Sequence, residues 1–253
     1  MSVHLNRDDR LAILHLDNPG KLNAFTVEML DQLAAHCDAI DRDPDILGVL
    51  LTSEGERAFC AGADITAWGK LSPDDFARIW VRHGHRVFDR LARLSKPTIA
   101  VLQAHAFGGG LELATACDIR VMAPMATLAL PETQVGIVPG WSGTQRLARL
   151  LPEPVIKEMA LFGRRLDASR AWHLGFVAAV EDEPLETARE IAAKLSETSP
   201  RATETAKYMI HAGVGEDRAA MIDALASGMI AATEDKAEGV AAFAAKRKPE
   251  FKG

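Results

Sequence analysis

Apolar residues along this chain fall into two spacings. Residues 10–16, Arg-Leu-Ala-Ile-Leu-His-Leu, form a short strand-like run closed by the turn residues Asn18, Pro19 and Gly20. Leu30, Leu33, Cys37 and Ile40 then recur three and four apart, which predicts an amphipathic helix over 27–42. The run over 46–52 is apolar throughout and short, as a buried strand is. A Gly/Ala-rich loop is expected over 55–69 and a helix over about 73–94. Residues 97–102 give a second buried strand. It runs into Gly108, Gly109 and Gly110, then a helical stretch over 111–117 and two short strands over 119–122 and 127–130. Strand and helix in this alternation predict an α/β fold with a mostly parallel sheet and crossover helices.

After about residue 185 the strand pattern stops. Helical patterns follow one another over 185–197, 202–211, 216–230 and 236–246. The expected organisation is a core over 1–195 and a helical region over 196–253, with no linker or fixed-period repeat between them. Helices that lack a core of their own often cover a neighbouring subunit, so a homo-oligomer is expected.

Composition narrows the picture. The chain has 253 residues, 48% hydrophobic and 25% charged, which is enough for a substantial core. Its three cysteines, Cys37, Cys60 and Cys117, are far apart in sequence and include no CxxC pair. That spacing excludes a disulfide framework and a thiolate zinc site, and it fits a reducing, cytoplasmic setting. A net charge of −6 gives no reason to expect nucleic-acid binding. The N-terminal residues lack a signal-peptide apolar core and a transit-peptide composition, and the longest apolar runs fall short of a membrane span.

Four features bear on chemistry. Gly108, Gly109 and Gly110 join a strand to a helix, so they serve either as a tight turn or as a backbone cradle for a negative oxygen. Their spacing matches neither a dinucleotide fingerprint nor a P-loop. The small-residue stretch Phe59-Cys60-Ala61-Gly62-Ala63-Asp64-Ile65 follows another strand, and parallel sheets bind ligands beyond such strand ends. Two N–H groups from these loops aimed at one oxygen would form an oxyanion hole. Asp64 itself reads as a helix N-cap or turn residue. Glu112 and Glu132 form a candidate acid–base pair, although a first-turn glutamate and a surface glutamate after Pro131 are ordinary alternatives. The stretch from Gly140 to Thr144 resembles a nucleophile elbow but has Thr144 where GxSxG needs glycine. His83 and His85, two apart on a helix, point to different faces and make poor metal ligands. His105 reads as a structural histidine, and Cys60 has no evident partner to activate it.

Taken in order, Asn18 to Ala24, Ala58 to Ile65, Lys96 to Ala100, His105 to Ala114, Cys117-Asp118, Pro131-Glu132, Gln145-Arg146 and the tail Ala244 to Phe251 resemble the crotonase (enoyl-CoA hydratase/isomerase) superfamily over nearly the whole chain. The resemblance implies a spiral of ββα units, a helical C-terminal trimerisation region, and a trimer or a hexamer built as a dimer of trimers. It implies an acyl-CoA thioester as substrate, with no metal and no cofactor besides the coenzyme A of the substrate. By position it assigns the oxyanion hole to the N–H groups of Ala63 and Gly109 and the acid–base pair to Glu112 and Glu132. Keeping both glutamates favours hydration of a trans-2-enoyl-CoA, or its reverse, dehydration, and counts against a silent binding protein; a Δ3,Δ2-enoyl-CoA isomerase, a specialised acyl-CoA dehydratase and, with water aimed at the carbonyl, a thioesterase are the alternatives. The other residues it places at the substrate are Ala61, Gly62, Asp64, Ile65, Trp141 and Lys21, the last near the CoA phosphate or simply in a solvated loop. Trp141 and Ser142 depart from the small residues many hydratases carry there. Trp141 either shortens the acyl pocket from within or serves as an interface or lid residue outside it. Thr66 stands where some relatives carry a basic residue.

Overall fold

The computed structural model describes residues 1–216 and 218–252; Asp217, inside the helix expected over 216–230, and Gly253 lie outside the described residues. The chain divides into two units, Met1–Pro200 and Arg201–Gly253.

The first unit opens with an antiparallel hairpin, β1 (Ser2–Asp8) on β2 (Leu11–Asp17), turned by Asp9 at φ +51°. Aspartate tolerates this left-handed conformation. In β2, Ala12, Leu14 and Leu16 are buried at the strand period of two. Helix α1 (Val27–Arg42) starts where Thr26 Oγ1 accepts the N–H of Met29, and it buries Met29, Leu30, Leu33, Cys37 and Ile40.

From here one unit repeats. A strand of the large sheet is followed by a three-residue strand of a small sheet, then by helix. The first copy is β3 (Gly48–Ser53), β4 (Ala58–Cys60) and the helical series α2 (Ile65–Trp68), α3 (Pro73–Asp75), a π-helical turn Phe76–Val81, and α4 (Arg82–Ala92). The second is β5 (Thr98–Leu102), β6 (His105–Phe107) and α5 (Gly109–Thr115). The third is β7 (Ile119–Met122) and β8 (Thr127–Ala129), followed by α6 (Gly143–Leu150) and α7 (Glu153–Phe162). Then come β9 (Leu166–Asp167), α8 (Ala168–His173), β10 (Ala179–Val180) and α9 (Pro184–Ala193). The large sheet runs β1-β2-β3-β5-β7-β10 and is parallel beyond the hairpin; the small one runs β4-β6-β8-β9. β3 and β5 are buried at every residue, as strands covered on both faces must be. On one face of the sheet, Leu50, Ile99, Val101 and Val121 pack against Ala188 and Ala192 of α9; the main core fills the other face.

Two expectations change. The span 55–69 is not all loop, because it contains β4 and α2. The helix expected over 73–94 is three pieces, with a π-helical turn in the middle.

The second unit holds most of α10 (Pro200–Gly213), with α11 (Arg218–Ala231) and α12 (Glu234–Ala244). Its end folds back on α12: Arg247 pairs with Glu238 through both terminal nitrogens, and the N–H of Glu250 donates to the same carboxylate at 2.8 Å.

Candidate active site

The small sheet decides where the site lies. β4, β6 and β8 are parallel, with Cys60 beside Ala106 and Phe107 beside Ala129. Their carboxyl ends therefore open on one edge, where parallel strands present loops to a ligand. The segments leaving that edge are Ala61 to Asp64, Gly108 to Glu112, and Leu130 to Glu132. They border a cavity of about 190 Å³ whose wall includes Ala61, Gly62, Ala63, Ile65, Gly109, Glu112, Glu132 and Trp141.

The three glycines each answer a different crowding. A Cβ on Gly108, at φ +53°, would stand 2.8 Å from Glu132 Oε1. One on Gly109 would stand 2.9 Å from the Trp141 ring, and one on Gly110 would collide with the Cys60 carbonyl. The turn thus brings backbone, both glutamates and the tryptophan together in a way that side chains would prevent.

The N–H groups of Ala63 and Gly109 have no acceptor among the described residues. Phe25 bridges to the loop by donating to the Gly62 carbonyl and accepting from the Asp64 N–H, so the Ala63 N–H between them points the other way. Gly109 is the first residue of α5, where an N–H has no intrahelical acceptor. The two loops touch, since a Cβ on Gly62 would lie 3.0 Å from the Gly109 nitrogen.

The glutamates meet unlike surroundings. Glu112 is 2% exposed, and its Oε1 accepts the N–H groups of Trp141 and Gly143, both at 2.9 Å. Burial pushes its carboxyl above the usual range, against the pull of the N–H groups of Gly143, Trp141 and Gly140 and the charge of Arg146. Glu132 is 8% exposed, and its Oε2 is buried with no hydrogen-bond partner among the described residues. Burial first, and then the nearby charge of Glu112, push Glu132 up to about 7, although its own N–H pulls the other way. Carboxyls held in different environments can divide acid and base roles.

The loop that clamps Glu112 is itself held. Ser142 adopts φ +69°, and its Oγ lies 2.7 Å from His85 Nδ1. His85 Nε2 lies 3.3 Å from Asp89, which also pairs with buried Arg146. Ser142 does not line the cavity, so this serine–histidine–aspartate trio does not face it.

The remaining expected residues are placed as follows. Trp141 points inward and is 3% exposed. Lys21 and Asp64 do not line the cavity. Asp64 caps α2 by accepting the N–H and hydroxyl of Thr66, and the Lys21 ammonium lies 3.1 Å from Asp64 and 3.3 Å from the Thr66 hydroxyl. His105 accepts the Thr127 N–H and stacks on Phe107. The Cys60 thiol is buried, donates to the Asn23 carbonyl and is pushed to about 12, so it is not a poised nucleophile. Sequence reading missed the aromatic wall of Trp68, Phe76 and Trp80.

A family model described as "Enoyl-CoA hydratase/isomerase" matches residues 6–253. The chain belongs to that family. Among curated relatives, it is 38% identical to the "Putative enoyl-CoA hydratase/isomerase YngF" of Bacillus subtilis, over 98% of this chain and 96% of that one. It is 34% identical to the "Short-chain-enoyl-CoA hydratase" of Clostridium acetobutylicum, over 98% and 97%. Among solved structures, an enoyl-CoA hydratase from Bacillus anthracis superposes with a TM-score of 0.81 at 32% identity, covering 99% of both chains. The α/β spiral of this enoyl-CoA hydratase/isomerase family member is thus the fold of solved enoyl-CoA hydratases.

Proposed function

We propose that the protein is an enoyl-CoA hydratase, adding water reversibly across the C2–C3 double bond of a trans-2-enoyl-CoA to give a 3-hydroxyacyl-CoA. The observation that carries this reading is the pair of buried, unlike carboxyls beside two unsatisfied N–H groups on one cavity wall.

Water attack at C3 turns the conjugated thioester into an enolate-like species with negative charge on the thioester oxygen. The N–H groups of Ala63 and Gly109 receive that oxygen, each worth about 3 kcal/mol in such sites. Glu112, fixed through Oε1, takes a proton from water as its oxygen bonds to C3. Glu132, carrying a proton because of its raised pKa, delivers it to C2. One proton leaves water and one reaches carbon, so the sum is addition of H₂O. This chemistry draws only on water and the thioester, so no separate cofactor enters.

An oligomer, trimer or hexamer, is supported by exposed Met209, Ile210, Met229, Ile230, Val240 and Phe243 on the helices of the second unit. A cytoplasmic setting is supported by three free, buried cysteines. No helix among the described residues is long and apolar enough to cross a membrane.

The test is to mix purified protein with crotonyl-CoA and follow the conjugated-thioester absorbance together with free thiol. Absorbance loss without thiol release is expected. Thiol release would make the protein a thioesterase, and an unchanged absorbance would end the hydratase reading.

A further inference from the structure

Trp141 closes the inner part of the cavity. One face of its indole lies against Gly109, where a Cβ would come within 2.9 Å of Cε3 and Cζ3. Its pyrrole side fills the space a Cβ on Gly84 would need. Phe88 braces the ring edge-on at 5.0 Å, Trp80 packs at 5.4 Å and Phe25 at 6.2 Å. The backbone on either side is also tied. The Trp141 and Gly143 N–H groups are both spent on Glu112, and Ser142 between them is hydrogen-bonded to His85. The indole is therefore held by Gly84, Gly109, Phe25, Trp80 and Phe88, while its backbone is held separately by the clamp on Glu112.

We infer that Trp141 sets the acyl-chain length, so that the site takes trans-2-enoyl chains of about four carbons and rejects longer ones. The inference rests on the hydratase reading and names the substrate within it. Water must reach C3 beside Glu112, and the residue whose N–H holds Glu112 is Trp141 itself. The indole itself packs on Gly109, one of the two N–H donors, and lines the same cavity as Glu112, so the acyl chain beyond C3 runs against it. The cavity volume agrees: about 190 Å³ lies below the roughly 300–1,000 Å³ usual for small-molecule sites.

The experiment measures kcat/KM for enoyl-CoAs of four, eight and twelve carbons with the wild type, Trp141→Ala and Trp141→Leu. A pocket wall discriminates by about 10–200-fold per methylene, so a tenfold fall from four to eight carbons is a low threshold for the wild type. Trp141→Ala is expected to raise the eight-to-four ratio at least tenfold, with Trp141→Leu between. Each ratio is internal to one protein, so partial unfolding of a variant cancels. Competition by butyryl-CoA and octanoyl-CoA reads the chain-length preference from binding alone, and the butyryl preference of the wild type is expected to shrink in Trp141→Ala. Equal wild-type turnover of all three lengths, or an unchanged ratio in Trp141→Ala, overturns the inference and leaves the hydratase standing. No turnover of any enoyl-CoA by the wild type overturns both.

Discussion

Replacing Glu132 by glutamine should damage activity and improve stability, with a pH dependence fixed by the site. In the folded protein the carboxyl is pushed from its ordinary 4.5 to about 7, by burial first and by Glu112 second. At 1.36 kcal/mol per pH unit, this difference corresponds to about 3 kcal/mol. Below 4.5 the group is protonated in both states and costs nothing. Between 4.5 and about 7 the unfolded chain releases its proton while the folded chain keeps it, so stability falls as pH rises; above about 7 the full cost is present. Glutamine has no such proton. The stability of Glu132→Gln relative to wild type should therefore climb by about 3 kcal/mol between pH 4.5 and 8, whatever constant offset the amide brings. Urea unfolding of both proteins across this range reads the difference directly. Hydration turnover should fall about 10²–10⁴-fold, the usual contribution of a positioned acid. Parallel stability profiles would refute the argument, because they would mean that Glu132 titrates normally and is no poised acid.

Glu112→Gln should lower kcat at least about 10²-fold with little change in CoA affinity, measured as separate kcat and KM values. Gly143→Ala should lower kcat more than it raises KM, because the added methyl collides with Glu112 Cγ and shifts the carboxylate from its two N–H donors. Wild-type hydration of crotonyl-CoA should decline as pH rises above about 7, where Glu132 loses the proton it donates; a flat profile to pH 9 would contradict that role.

The longer elements were legible because their burial repeats. Leu30, Leu33, Cys37 and Ile40 mark α1, and unbroken apolar runs mark β3 and β5. β4 and β6 were not legible. Three residues hold no period, and these strands exist only through pairing with each other and with β8. The break inside 73–94 was hidden for another reason. Phe76–Val81 is helical by propensity, and its π-helical turn brings Trp80 and Val81 to the cavity wall. Glu112 and Glu132 were readable as an ordered pair through resemblance, but their unlike environments were not. The clamp on Glu112 comes from N–H groups where the chain enters α6, and Glu132 lies against Gly108 through Oε1 while its Oε2 is buried without a partner among the described residues. The direction of Trp141 was equally hidden, because Gly84 and Gly109 make room for it from two other segments.

The most direct test of the central claim is to let the protein act on crotonyl-CoA in ¹⁸O-labelled water and locate the label by mass spectrometry. Two carboxyls working beside the Ala63 and Gly109 N–H groups predict one ¹⁸O atom on C3 of an intact 3-hydroxybutyryl-CoA. Label in a free carboxylic acid, with coenzyme A released, would show attack at the thioester carbonyl and contradict the account.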